Sequence, residues 1–406
     1  MRSVEEHQRQ ALELSGPLPP VTLPLAQTLG CVLAEDVTAA WPLPSFDNTS
    51  MDGYAVLAAD LTSASEATPV GLEVIGDVAA GHRATSEVRR GTAIRIMTGA
   101  PLPSGADTVV PVEWTDAGTT TVSISRAVDV GAHIRRRGED VAEGDVVLEA
   151  GRRLTARQLA LLAASGRGEA RVYPRPRVAV LSTGDELTAP GQPLEEGHIA
   201  DSNGVMLMAA VEEAGGVPIR VGPVRDDDDA LRRALADAIA QADLIVTTGG
   251  VSMGAYDTVK AVLSASGDVE FVKVAMQPGM PQGLGRLGAE GVPIITLPGN
   301  PVSAYVSFEV FVRPLIRRMR GCERVMRPTF LAACGRAFTS PAGKTQFARV
   351  QVRHEDGLTI AYPEGGQGSH ILGGLSRADA LAIVPAATAQ VAEGEELIVL
   401  DLGRDD

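Results

Sequence analysis

From residue 175 to residue 310 the chain alternates short apolar runs with helical patterns, and few folds accept that order. "RVAVLST" (177–183) is followed by a loop and by the helical pattern "VMLMAAVEEAGG". "VPIRVGPV", "DALRRALADAIAQA" and "DLIVTTGG" repeat the strand–helix–strand sequence. A helix after Asp257, the strand "VEFVKVAM", and "VPIITLPG" with its own helix complete it. Continuous apolar runs suit strands covered on both faces. Strands separated by helices at this spacing form βαβ units on a parallel sheet. The expectation is a mostly parallel sheet with helices on both sides.

The flanks read differently. Residues 3 to 14 have the pattern of a short amphipathic helix, ended by Gly16 and the prolines that follow. From residue 53 to about 150, runs such as "YAVLA", "GLEVIGDV", "GTAIRIMTG" and "DTVVPVEW" lie between turn residues, the signature of a β-rich domain. "LTARQLALLAASG" is a helix with Thr155 as its cap and Gly166 as its stop. Residues 327 to 406 return to short strands. The fold class is therefore multidomain α/β plus β, with a central α/β domain, a β-rich N-terminal domain and a small C-terminal β domain.

Charge narrows the function. A formal net charge of −15 argues against general affinity for nucleic acid or anionic lipid. Any anionic ligand must be met by local basic groups and backbone N–H donors. The three cysteines, Cys31, Cys322 and Cys334, are far apart and form no Cys-x-x-Cys pair, which fits a reduced, cytoplasmic compartment. The charged N-terminal stretch "MRSVEEHQRQALELSG" does not read as a signal sequence. No apolar run reaches the ~18 residues of a membrane span. The expectation is a soluble intracellular protein.

In an open α/β sheet, ligands bind at the carboxyl ends of the strands, near a switch in strand order. Three loops leave such ends: "STGDEL" with Ser182, Thr183 and Gly184, "TTGGVSMGAYD" with Gly249, Gly250 and Ser252, and "LPGNPVSA" with Pro298, Gly299, Asn300 and Pro301. Small and hydroxylated residues permit close backbone approach and offer donors to an anion. They are also ordinary punctuation at strand ends. Pro298-Gly299-Asn300-Pro301 can continue neither a strand nor a helix, while Val302, Tyr305, Val306 and Val310 then fall at helical spacing.

Acids cluster at the same ends: Asp185, Glu186, Asp226 and Asp257. Carboxylates beside a phosphate-type loop commonly hold Mg²⁺. For Asp227 to Asp229, helix capping is the preferred reading. In the N-terminal half, "NTSMDGYAV" places Asp52 before a Gly-Tyr pair. "IRRRGEDV" sets Arg135, Arg136 and Arg137 before Glu139 and Asp140. That run is either a solvated turn or an oxyanion clamp.

"SMDGYAV", "IMTGAPLPSGADTVV", "IRRRGEDV", "STGDEL", "TTGGVSMG", "LPGNPVSA" and "QGSHIL", in this order, resemble the MoeA family, the molybdopterin molybdenumtransferases related to the gephyrin E domain. The resemblance covers the chain from about residue 5 to residue 400. It implies insertion of molybdenum from molybdate into adenylylated molybdopterin, assisted by Mg²⁺ or Zn²⁺, with AMP released. It also implies an elongated homodimer whose cleft is shared between subunits. Molybdopterin adenylyltransferase and molybdoenzymes are implied as protein partners. The implied domains are 1–45 with 132–172, an inserted β-rich domain 46–131, an adenylyltransferase-like domain 173–326 and a C-terminal β domain 327–406.

Carried onto this sequence, the resemblance implies catalytic roles for Asp52, Thr98, Asp140, Glu186, Asp226 and Asp257. Glu186, Asp226 and Asp257 are the implied metal ligands. The arginines 135 to 137, Lys273, the three strand-end loops and Ser369 are assigned to substrate, with Thr98 and Ser369 as neutral donors suited to an oxyanion. One departure stands out: where many members read Lys-Pro-Gly-Lys-Pro, this chain has Gln277-Pro278-Gly279-Met280-Pro281. Ala255 also replaces a common acid. A non-catalytic carrier or scaffold of the gephyrin type is the alternative, disfavoured because the acids are all present.

Overall fold

The computed structural model describes residues 1–250, 258–266 and 269–403. It divides into two compact units. One holds Met1–Thr22, Gly30–Ala34 and Arg171–Asp406, and the other Leu23–Leu29 and Glu35–Ala170.

The second unit is built on a five-stranded sheet in the order Thr108–Pro111, Gly53–Val56, Thr92–Ile96, Val70–Val78, Thr121–Ile124. Val70–Val78 runs parallel to Thr92–Ile96, and the remaining pairings are antiparallel. Both faces are buried. Tyr54, Val56, Leu72 and Val110 pack on one side, and Ala55, Ile94, Ile96 and Val109 on the other. Gly53 is required, because a Cβ there would lie 1.9 Å from the carbonyl oxygen of Val110. The helix Ala156–Ala164 opens on a Thr155/Gln158 capping box and is followed by Gly166 at φ +89°, as its sequence predicts.

The first unit contains the α/β sheet. Its strands are β1 (Arg177–Thr183), β2 (Val217–Val224), β3 (Leu244–Thr248), β4 (Val269–Lys273), β5 (Pro281–Leu287) and β6 (Val292–Leu297). They lie in the order β2-β1-β3-β6-β5-β4. β2, β1, β3 and β6 are parallel; β5 is antiparallel to both of its neighbours. Helices α1 (Ser202–Glu213), α2 (Asp228–Gln241), α3 (Thr258–Ser266) and α4 (Pro301–Ser307) connect and follow them. Alternate residues of each central strand serve opposite cores. Val178, Val180, Val246 and Ile295 pack with Leu207 and Val302, while Ala179, Leu181, Ile245 and Ile294 pack with Leu231 and Leu235. Burial on both faces explains why these strands read as continuous apolar runs. α4 runs on through a π-helical turn, Phe308–Val312, into the helix Arg313–Met319.

The strand order reverses between β1 and β3, so the sheet has its switch point there. Downstream, Thr345–Glu355, Leu358–Pro363, Thr329–Cys334, Glu396–Asp401 and Ala380–Val384 pair in succession, and Thr345–Glu355 also pairs with Ala380–Val384. The five strands thus close on themselves around small side chains, among them Ala348, Ala361, Ala380 and Ala382. Among the described residues, no helix is long and apolar enough to cross a membrane.

Candidate functional site

At the switch point the carboxyl ends of β1, β3 and β6 enclose a cavity of about 200 Å³. Of the residues singled out in the sequence, Ser182, Thr183, Glu186, Gly249, Gly299 and Pro301 line it. Two glycines make the close approach possible. Gly184, at φ +148°, lies under the Glu186 carboxylate, and a Cβ there would meet Oε2 at 2.4 Å. Gly249, at φ +92°, leaves room for the carbonyl oxygen of Thr183, 2.7 Å from where a Cβ would sit.

The Pro298-Gly299-Asn300-Pro301 turn is fastened from several sides. Thr248 Oγ1 donates to the carbonyl of Pro298 at 3.1 Å, and the Gly249 N–H donates to that of Leu297 at 3.2 Å. Asn300 Nδ2 donates to Ser369 Oγ at 3.0 Å, while the Val302 N–H donates to the Ser369 carbonyl at 3.1 Å. Ser369 is thus brought to the turn from the C-terminal region. Its loop rests on Arg349, a fully buried arginine whose guanidinium donates to the carbonyls of Gly366 and Gly368. Burial holds the Arg349 pKa below its usual value.

Sequence reasoning missed several residues here. Asp201, Asn203 and Thr248 line the same cavity. Asp201 is 1% exposed and is the N-cap of α1: Oδ1 accepts the Gly204 N–H at 2.9 Å, and Oδ2 accepts the Ser182 hydroxyl at 2.5 Å and a guanidinium N–H of Arg220. The signal was present, since Asp-Ser-Asn before an apolar helix is a start pattern.

The other acids lie at neighbouring strand ends. Asp226 is exposed, and its N–H donates to Asp185 Oδ1 at 3.2 Å. Asp227 caps α2 by accepting the Ala230 N–H at 2.8 Å, with Asp228 and Asp229 in the first turn, the arrangement preferred from sequence. A second cavity of about 360 Å³ adjoins Gly184, Asp185, His198 and Arg225. Gly250 follows the cavity at φ +68°, and Lys273 is exposed at the end of β4. Ser252, Ala255 and Asp257 lie outside the described residues. Among the described residues, no group of three or more His, Cys, Asp or Glu side chains is gathered closely enough to hold a metal ion.

In the other unit, Thr98 donates to Asp52 Oδ1 twice, from its backbone N–H at 2.6 Å and from its hydroxyl at 2.7 Å. The backbone bond first, then the hydroxyl, hold the Asp52 carboxyl below its usual range. Thr98 therefore acts on Asp52, with its hydroxyl proton already committed. Arg136 and Arg137 converge on Asp47: Arg136 Nη1 donates to Oδ2 and the Arg137 N–H to Oδ1, both at 2.7 Å. These bonds, the backbone one foremost, lower the Asp47 pKa. Glu139 accepts the Arg136 N–H at 2.7 Å, closing the turn. Arg135 is exposed and pairs with Asn48 in a short ladder; Asp140 is exposed, with its N–H bonded to the Leu43 carbonyl at 3.0 Å.

Comparison with known proteins gives three consecutive matches: the MoeA N-terminal region (domain I and II) over residues 2–166, a probable molybdopterin binding domain over 179–318, and the MoeA C-terminal region (domain IV) over 332–402. The chain is 48% identical to molybdopterin molybdenumtransferase 2 of Mycobacterium tuberculosis, across 99% of this chain and 100% of the relative. It is 38% identical to the molybdopterin molybdenumtransferase of Bacillus subtilis, across 93% and 88%. The crystal structure of a molybdopterin biosynthesis MoeA protein from Pyrococcus horikosii superposes with a TM-score of 0.80 at 33% identity, covering 98% of each chain.

Proposed function

This chain belongs to the MoeA family, the molybdopterin molybdenumtransferases, and from that premise we propose how its residues divide the work of molybdenum insertion. It is a transferase of molybdenum cofactor biosynthesis. The substrates are adenylylated molybdopterin and molybdate, and AMP leaves as the metal enters the dithiolene. The observation that carries this reading is the cavity at the switch point, walled by a glycine-rich strand end and a proline-fixed turn.

The glycine-rich strand end at Gly249-Gly250 lets the phosphate oxygens of the adenylyl group approach the backbone closely, the Gly249 and Val302 N–H groups themselves being committed to the Leu297 and Ser369 carbonyls. Ser182 and Thr183, small and hydroxylated, leave room for the polar edge of the pterin. Glu186 and Asp226, with Asp257, supply hard carboxylate oxygens, the donor chemistry that suits Mg²⁺ better than Zn²⁺. Bound there, the ion would neutralise charge developing on the phosphoanhydride. Ser369, held by Asn300, presents its hydroxyl at the rim of the turn. In the other unit, Asp52 is kept ionised by Thr98, and Arg135 is the arginine of its run whose guanidinium has no carboxylate partner among the described residues. We assign Arg135 to an oxyanion, molybdate or phosphate, because a planar guanidinium binds such oxygens in pairs.

Gln277 and Met280 stand where many relatives carry lysines, so less positive charge meets the anions at that loop. The four-domain division and the homodimer belong to the same reading and rest on the resemblance. The test is turnover: purified protein with adenylylated molybdopterin, molybdate and Mg²⁺, following AMP release alongside active cofactor. Molybdate-dependent AMP release with cofactor formed is the expected result. Tight pterin binding without AMP release would instead identify a carrier.

A further inference from the structure

The N-cap and first turn of α1 contact β1, β2, β3 and the turn that follows β6. Asp201 binds Ser182 at the end of β1 and Arg220 of β2. Two residues on, Asn203 binds the other two. Its Nδ2 donates to the Gly299 carbonyl at 2.7 Å, beyond β6, and to Thr248 Oγ1 at 3.0 Å, at the end of β3. The orientation of this amide is fixed by chemistry. The Gly299 carbonyl can only accept, so the NH₂ group must face it. Thr248 passes its own proton to the Pro298 carbonyl, so it accepts the second N–H of Asn203.

Both donors of Asn203 are therefore consumed in tying the Gly249 strand end to the proline turn. These are the two walls of the cavity, and they touch: a Cβ on Gly299 would lie 3.5 Å from the Gly249 Cα. Asn203 is not the helix cap, which Asp201 supplies through Gly204. Its removal leaves the start of α1 and both sheet cores in place.

We infer that Asn203 is a positioning residue for the transfer reaction, setting the separation of the two cleft walls that receive the adenylyl group. The inference rests on the reading of this cavity as the site of adenylylated molybdopterin. A residue that only shapes a binding cleft changes ground-state and transition-state binding together, so KM moves and kcat does not.

The experiment compares wild type, Asn203→Ala and Asn203→Asp in three measurements: steady-state turnover, equilibrium binding of AMP, and thermal unfolding. Asn203→Ala should raise both KM for adenylylated molybdopterin and the AMP dissociation constant about tenfold, with kcat changed less than about threefold. Its unfolding midpoint should fall by a few degrees at most. Asn203→Asp keeps the shape but sets a carboxylate against the Gly299 carbonyl, so its binding should be weaker still; it also carries the test if Asn203→Ala fails to fold. KM and AMP binding within twofold of wild type overturn the inference, as does a fall in unfolding temperature with binding unchanged. Wild type that binds AMP but releases none overturns the transferase reading alone, and the positioning role is then judged by AMP binding. Wild type that does not bind AMP overturns both.

Discussion

Thr98 spends both of its hydrogen-bond donors on one oxygen of Asp52, at 2.6 and 2.7 Å, across 46 residues of sequence. The carboxylate is exposed yet held ionised, and its second oxygen remains for another partner. The threonine read from sequence as an oxyanion donor has both of its donors committed to a carboxylate.

Replacing Thr98 with Val removes the hydroxyl and leaves the backbone bond. The Asp52 pKa then rises toward its ordinary value. Since the depressed pKa keeps the group charged at lower pH, the acidic limb of the activity profile should move to higher pH in Thr98→Val. Activity at neutral pH should fall about tenfold or less, because the carboxylate is still ionised there. A pH–rate profile of the two proteins checks both points; an unmoved limb removes Asp52 from the titrating groups.

Glu186 lies over Gly184 at the cavity mouth. Glu186→Gln keeps its size and removes its charge, so AMP release should fall at least tenfold and require more Mg²⁺ for half-maximal rate. Chelation should abolish turnover, and added Mg²⁺ should restore it. Turnover that survives chelation removes the metal from the proposed chemistry.

Arg349 holds up the loop that carries Ser369. Arg349→Met keeps the length of the side chain and abandons the Gly366 and Gly368 carbonyls. The expected outcome is faster amide exchange in residues 364–371 and a fall of about tenfold in kcat/KM. Exchange rates unchanged in that loop would show that its own turns suffice.

His7 is fully buried, edge-on to Phe311, with a pKa lowered to about 3, first by burial and then by Arg2. Its folded pKa lies below the unfolded value near 6.5, so only the unfolded chain takes up this proton between those limits. The stabilising effect is complete above about pH 6.5 and is lost as pH falls toward 3. The slope attributable to this residue approaches about 1.4 kcal/mol per pH unit. Denaturant unfolding between pH 7 and 5 should show a flatter dependence in His7→Leu than in wild type.

The central strands were legible because both of their faces are buried. β5 was not. "PQGLGRL" carries two glycines, which sequence reasoning takes as turn residues. In the sheet, Gly283 is needed because a Cβ would meet Thr296 Oγ1 at 2.3 Å and Phe271 at 3.0 Å. The loops of the candidate site were visible from their glycines and prolines, whereas Asp201 and Asn203 were read as part of the loop before α1. The role of Asn203 depends on Thr248 and Gly299, and that of Asp201 on Ser182 and Arg220, which approach only after the sheet is assembled. Arg349 was hidden for a similar reason: an arginine inside a strand gives no local sign that it will be enclosed.

The bond between Asn300 and Ser369 spans 69 residues, so the turn and the loop that braces it leave the ribosome well apart in time. During synthesis the parallel sheet can form while the turn still lacks its outer brace. The brace arrives only after most of the closed β structure has emerged. Synthesis itself thus delays the outer brace of the turn until only the last few dozen residues remain to be made.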